Sequence, residues 1–358
     1  MRKYYTRPCN FLYGNYAKKL IKSKKALPIA GNLNIGFNQV EVFHRKKKKI
    51  VENTFYTLDQ IKNLNKEIKE IIQSDLKKIV AKRKNIAGLR FDKPQIMGVL
   101  NITPDSFSDG GLFFKGSKAY AQAKLMIKSG AKIIDIGGES TRPGSVSINQ
   151  KDEWKRIQST IVKLKKNYPK THLSLDTRKA YLMQKGIENN VDIINDVSGL
   201  NFDKKSFDVI RSKKVPFVLH HMQGTPEIMQ KNPKYNDVLL DIYDFFEEKI
   251  HLCIEKKYNK DLIIIDPGIG FGKNLNHNLR LMSKISTFHS LGCPVLIGTS
   301  RKRFIEHIVT KFDTPDRTGG TLASVLYGLL QGVQLFRVHN VKEINQGLLV
   351  FNKILNTN

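Results

Sequence analysis

The chain has 358 residues, 40% of them apolar, and its 61 Lys and Arg against 32 Asp and Glu give a formal charge of +29. Such a chain buries at least one large core, which excludes a disordered tail, a collagen-like fibre and a disulfide-stapled miniprotein. Cys9, Cys253 and Cys293 are widely spaced and form no CxxC pair, so a thiol-reducing compartment is expected, with neither a disulfide framework nor a structural zinc site. No apolar run approaches the roughly 18–20 residues of a membrane-spanning helix. The basic segment 1–19 lacks a continuous apolar stretch, so a secretory leader is not expected. A transit peptide stays open because no acidic residue precedes Glu41, although serine is scarce there. The expectation is a soluble, cytoplasmic protein.

Residues 1–93 hold 23 Lys and Arg against 7 Asp and Glu, a net +16, and read as a separate extension ahead of a catalytic unit at 94–358. Leu33 to Phe43 partly alternates apolar and polar residues, which predicts a short strand or hairpin. The tract Arg45-Lys46-Lys47-Lys48-Lys49 has no aromatic or glycine interleaving and reads as a solvated loop rather than a nucleic-acid patch. From Leu58 to Val80 apolar residues recur at helical spacing, with Thr57 and Gln60 placed for a capping box. That amphipathic helix must pack either on the rest of the chain or on another subunit.

Beyond residue 94 short apolar runs alternate with longer amphipathic stretches. The runs are 96–100, 133–136, 172–175, 191–194, 216–219, 262–265, 294–297 and 334–338. Helical patterns fall between them at 118–128, 153–166, 181–188, 238–255 and 322–330. Eight strand–helix units in about 250 residues predict a (β/α)8 TIM barrel of class α/β, with an α+β extension before it. No GxGxxG follows the first run, which argues against a dinucleotide-binding sheet.

Each apolar run ends in polar residues. In order they are Asn101 to Asp105, Glu139 to Arg142, Asp176, Asn195-Asp196, His220-His221-Met222, Asp266, Ser300-Arg301-Lys302, and Arg337 with His339. In a barrel these ends converge on one rim, where barrel enzymes build their sites. Asp176, Asn195 and Asp266 suit the N–H edge of a flat heterocycle, and Lys302 suits a carbonyl oxygen. Arg142, Arg337 and His339 suit an anion. The glycine-rich turn Asp266–Lys273 either lets backbone approach a ligand or is an ordinary tight turn. His220 and His221 lack a third ligand at zinc spacing, whereas a Mg2+ carried by a diphosphate needs only one or two protein oxygens, one of which Asn101 offers. Residues 102–111 and 137–147 read as loops that close over the site.

The motifs MGVLNITPDSFSDGG (97–111), IDIGGESTRPGS (134–145), LSLDTRKA (173–180), INDVSG (194–199), HMQGTP (221–226), DPGIGFGK (266–273), SRK (300–302) and RVH (337–339) resemble, in order and spacing, those of the dihydropteroate synthases. The resemblance covers about 95–345. It implies a pterin-binding barrel that joins 4-aminobenzoate to 6-hydroxymethyl-7,8-dihydropterin pyrophosphate with Mg2+ and is a target of sulfonamides. By motif position Asp176, Asn195, Asp266 and Lys302 would hold the pterin, and Asn101, Arg337 and His339 the Mg2+-pyrophosphate, with Asn101 as metal ligand. Thr141, Arg142, Pro143, Phe271 and Ser300 would face the aminobenzoate, with Asp105 on the closing first loop and Met222 and Gly270 also lining the substrate. Asp176, Lys302, Arg337 and His339 would carry the catalysis, a dissociative substitution at the pterin methylene. The resemblance further implies a homodimer, with no membrane and no specific nucleic acid as partner.

Three features depart from the family pattern: Asn340 stands where Asp commonly follows RVH, His220 where an apolar residue is usual, and residues 1–93 stand ahead of the barrel. The rival readings are a pterin-dependent methyl transferase, which would not need the long first loop or RVH, and a nucleic-acid-binding protein suggested by charge alone.

Overall fold

The computed structural model describes residues 2–47, 50–103, 112–140, 144–309 and 316–357. At its start β1 (Tyr4–Tyr13), β2 (Leu27–Ile29), β3 (Asn32–Lys47) and β4 (Ile50–Thr57) form an antiparallel sheet, with α1 (Gly14–Lys22) after the first strand. The long β3 is central: β1 pairs along one side, and β2 and β4 along the other. The short strand expected at 33–43 is thus a sixteen-residue one.

The helix expected from Leu58 is interrupted. Thr57 N donates to Gln60 Oε1 at 2.8 Å and Gln60 N to Thr57 Oγ1 at 3.4 Å, but this box closes only the 3-10 turn Gln60–Asn63. Asn65 then starts α2 (Lys66–Val80) afresh, its side chain accepting from Ile68 N at 3.1 Å. An asparagine side chain that takes a backbone N–H favours a helix start over a continuing helix.

One face of the sheet (Phe37, Val40, Val42) is packed by α2 through Ile72 and Ile79. From the other, Tyr5 and Phe43 enter the main hydrophobic core of the chain. The basic tract is not a uniform solvated loop: Arg45 is buried and pairs with Asp241 at 3.1 Å and Asp244 at 3.2 Å. Lys46 is exposed beside Glu52, and Lys48 and Lys49 lie outside the described residues. Glu41, fully buried, accepts from Arg7 at 2.6 Å and from Lys284 at 3.0 Å, so its charge enters the interior paired.

The eight apolar runs are the strands of one parallel barrel: β5 (Gln95–Asn101), β6 (Ile133–Gly137), β7 (His172–Asp176), β8 (Ile193–Asp196), β9 (Phe217–His220), β10 (Ile263–Asp266), β11 (Leu296–Ile297) and β12 (Leu335–Val338). Runs apolar on both faces fit this environment, because the interior covers one face and helices cover the other. The helices are α3 (Leu112–Lys128), α4 (Gln150–Asn167), α5 (Ala180–Glu188), α6 (Ser206–Lys213), α7 (Val238–Glu255), α8 (Leu275–Ser283), α9 (Arg303–Ile308), α10 (Thr318–Leu330) and α11 (Val341–Leu355). Ladders run in the order β10-β9-β8-β7-β6-β5-β12-β11, and a single parallel bridge, Ile265 to Val295, joins the ends.

Strand alternation divides the barrel interior into layers. Met97, Ile133, Ile193, Val218, Ile264, Leu296 and Leu335 form an apolar lower layer, closed from below by Ile86, Leu89 and Phe91 of the segment after α2. Two residues further along four of these strands stand Asp135, Asn195, Asp266 and Arg337. The upper layer is therefore polar, and it lies at the strand ends.

Candidate active site

The core of the upper layer is an ion cluster. Arg337 donates from Nε to Asp135 Oδ2 at 2.6 Å and from Nη2 to Asp176 Oδ2 at 2.6 Å, while Asn195 Nδ2 donates to Asp135 Oδ2 at 2.9 Å. Asp135 was missed by sequence reasoning. Its signal was a carboxylate inside an apolar run at the inward-facing position of β6. Burial costs a charge dearly unless it is paired, and Arg337 pairs both carboxylates at once. One oxygen each of Asp135, Asp176 and Asn195 is nevertheless buried without a hydrogen-bond partner among the described residues. Three such oxygens side by side form an acceptor surface for a ligand rich in N–H groups.

Asp266 ends β10, and its Oδ1 accepts from Gly268 N at 2.8 Å. The turn it opens needs glycine: Gly268 has φ +69°, and a Cβ there would lie 1.9 Å from His221 O. Within the turn, Phe271 is held edge-on by His220 at 4.6 Å between ring centres, and Lys302 Nζ sits 3.8 Å from its ring centre. His220 Nδ1 in turn meets Val197 O at 3.0 Å, which gives this unusual histidine the role of propping Phe271. Lys273 Nζ ties the turn to His221 Nδ1 at 3.0 Å and to Phe271 O at 2.8 Å. Met222 packs with Phe271 and Met229.

Burial pushes the Asp176 carboxyl up to about 7, with Arg337 pulling it down and Asp135 pushing it further up. Burial likewise raises Asp266 to about 6, against the Gly268 N–H. Lys302 is brought down to about 7 by burial and by the Arg337 charge. Despite the burial that disfavours it, the Arg337 guanidinium is held charged by Asp135 and Asp176. Three groups are thus poised near neutrality in one chamber, the pattern of a functional site.

Above this chamber opens a cleft of about 810 Å3 lined by Asn101, Gly270, Phe271, Ser300, Lys302, Arg337 and His339. Ser300 Oγ meets His339 Nδ1 at 3.0 Å and accepts from His339 N at 3.1 Å, fixing the imidazole at the mouth. Arg301 and Arg317 extend the basic wall: Arg301 grips Asn340 Oδ1 at 2.8 Å, and its carbonyl accepts from Arg317 Nη1 at 2.9 Å. Arg317 carried no motif and was missed in the sequence. Asp105, Thr141, Arg142 and Pro143 lie outside the described residues.

Among the described residues no group of three or more His, Cys, Asp or Glu could hold a metal ion. The Asn101 amide on the cleft wall suits a hard cation that takes most of its oxygens from a diphosphate and water. Such an oxygen fits a Mg2+ that would arrive with a substrate diphosphate.

The pterin binding enzyme family model matches residues 97–339. The chain is 37% identical to the dihydropteroate synthase of Escherichia coli K12 over 75% of its own length and 94% of the relative's. It is 40% identical to that of Bacillus subtilis 168, over 74% and 90% of the two chains. Among solved structures, the Xanthomonas albilineans dihydropteroate synthase with 4-aminobenzoic acid matches with a TM-score of 0.71 at 35% identity, covering 77% of this chain and 99% of that one. The Yersinia pestis dihydropteroate synthase with a sulfonamide drug complex matches with a TM-score of 0.70 at 36% identity, over 75% and 97%. With the barrel, the polar upper layer and the ordered motifs all in place, the chain belongs to the pterin binding enzymes, among the dihydropteroate synthases.

Proposed function

We propose that this chain carries out the reaction of its family with its own residues in the following roles. The reaction joins 6-hydroxymethyl-7,8-dihydropterin pyrophosphate to 4-aminobenzoate, giving 7,8-dihydropteroate and pyrophosphate, and makes the chain a transferase. The observation that carries the assignment is the set of unpartnered buried oxygens on Asp135, Asp176 and Asn195 beneath a basic cleft.

The N–H edge of the pterin is taken by Asp266 and by the free oxygens of Asp176 and Asn195, and Lys302 donates to the lactam carbonyl. Phe271, on the aminobenzoate side of the pterin, excludes water there. Nη1 of Arg337, which makes no hydrogen bond among the described residues, is left to donate to the diphosphate together with His339. The C–O bond at the pterin methylene breaks, its electron pair leaving with the diphosphate, and the ring-conjugated cation is stabilised by the Asp176 carboxylate. The neutral arylamine attacks that carbon and then releases a proton from nitrogen, so no side-chain nucleophile is required. Mg2+, held by the diphosphate and Asn101, supplies electrostatic stabilisation of the leaving group when bound.

Labelled 4-aminobenzoate with the pterin pyrophosphate should give dihydropteroate and pyrophosphate in equal amounts, and Asp176→Ala should abolish both. Pterin binding without turnover in the parent protein would point instead to the pterin-dependent methyl transferase reading. Sulfonamide inhibition competitive with 4-aminobenzoate is expected from the same site. We extend the reading to a cytoplasmic homodimer. The buried thiols Cys9, Cys253 and Cys293 support a reducing compartment, and the exposed Leu349, Val350 and Ile354 on α11 support a second copy. Light scattering on the eluted peak of a sizing column tests the dimer.

A further inference from the structure

The basic excess of the first 93 residues is not consumed by the catalytic rim. Part of it gathers at the opposite end of the barrel, where the chain leaves α2 and where β10 and β11 begin. A concavity of about 320 Å3 lies there, with Lys77, Lys78, Lys82, Arg83 and Lys84 on one side and Lys260 on the other. Asp261 is the one carboxylate among the described residues that line it. That volume is at the lower end of the roughly 300–1,000 Å3 usual for small-molecule sites.

None of the six cations forms an ion pair among the described residues. Arg83 is 5% exposed, and its guanidinium meets only backbone carbonyls: Lys78 O at 2.7 Å, Ala81 O at 3.0 Å and His289 O at 3.0 Å. Carbonyls satisfy its Nη N–H groups without cancelling its charge, and its Nε has no partner among the described residues. Across the concavity Lys260 Nζ rests against Gly292, where a Cβ would come within 2.9 Å of it. Burial draws the Lys260 ammonium below its ordinary value, with Lys78 and Arg83 adding to the effect, and burial draws Arg83 down to about 10. Like charges forced together in a partly desolvated hollow are a cost to the free protein, and a multivalent anion converts that cost into attraction.

We propose that this concavity binds a small multiply charged phosphate anion of the di- or triphosphate class, at a site remote from the catalytic rim. Six cations around one hollow call for more than a single negative charge, and charge-assisted bonds to phosphate oxygens are the strong ones. The hollow admits the phosphates themselves and leaves any attached organic group in solvent.

The test is equilibrium dialysis of the full chain against labelled inorganic pyrophosphate, compared with Lys82→Met/Lys260→Met and with Lys82→Glu/Lys84→Glu. The second pair changes only exposed side chains, so it leaves the fold intact. Each variant should bind one equivalent less per chain, with kcat and both KM values of the synthase reaction unchanged. Without anion, Lys82→Met/Lys260→Met should melt no lower than the parent, because repulsion has been removed. Equal numbers of bound equivalents in the parent and both variants would overturn the proposal. So would a loss that comes with a raised KM, which would place the anion at the catalytic rim.

Discussion

Replacing Asp266 by asparagine separates what the upper layer costs from what it does. The carboxyl is buried at the end of β10, its ionisation pushed up to about 6 from an ordinary 3.8. That difference corresponds to about 3 kcal/mol at roughly 1.36 kcal/mol per pKa unit. The sign follows from linkage: a carboxyl with a raised folded-state pKa holds its proton more tightly in the folded chain, so its ionisation opposes folding. The cost is absent below about 4, grows between about 4 and 6, and is complete above that. Asparagine keeps an oxygen for the Gly268 N–H at 2.8 Å and never ionises. Asp266→Asn should therefore be more stable than the parent by about 2–3 kcal/mol at pH 8 and nearly equal to it at pH 4. Denaturant unfolding at the two pH values measures this. Pterin affinity should fall by roughly ten- to 150-fold for each hydrogen bond to the charged acceptor that is lost, at about 1.5–3 kcal/mol each. A variant less stable at pH 8, or a difference unchanged between pH 4 and pH 8, would refute the reasoning.

In the parent enzyme kcat/KM for the pterin pyrophosphate should decline as pH falls through 7 and 6, because Asp176 and Asp266 take up protons there and lose their charge. A profile flat from pH 8 to pH 5.5 would exclude these carboxylates as the pterin clamp. Lys179 joins Glu139 at 3.1 Å and Glu153 at 2.7 Å, all three buried, and also holds Ile148 O at 2.7 Å. Lys179→Met should cost about 3–5 kcal/mol in denaturant unfolding, because it strands buried carboxylates. It should also raise KM for 4-aminobenzoate more than for the pterin substrate, since Ile148 closes the loop after β6. Deleting residues 1–80 should leave an insoluble or lower-melting barrel, because Tyr5 and Phe43 belong to its core and Arg7 to a buried ion pair. A soluble truncate with unchanged melting temperature would show that the sheet is only an appendage.

The barrel strands were legible to within about two residues because parallel strands covered on both faces must read as unbroken apolar runs. The rim was legible for the same reason, since the first polar residue after each run marks a strand end. Asp135 escaped because it sits inside its run, where only the partnership with Arg337, two hundred residues later in the chain, explains a carboxylate. Arg45 escaped in the opposite sense: its neighbours in sequence are solvated lysines, but its partners Asp241 and Asp244 lie on α7. The break before α2 was written in Asn65, whose capping power competes with a helical period that runs straight across it. Local pattern shows which faces are apolar; it does not show which distant charge arrives to neutralise a residue.

The ties between the N-terminal sheet and α7 also set a schedule for synthesis. Arg2 meets Tyr243, a partner 241 residues further along the chain, and Tyr5 reaches Asp244 across 239. At about 5–20 residues per second, roughly ten to fifty seconds separate the emergence of the two. Throughout that interval the sheet can close on α2, but the side carrying Tyr5 and Phe43 waits uncovered. The order of manufacture thus runs against the order of docking, and a holding chaperone has its natural opening in those seconds, on a surface that the finished molecule never exposes.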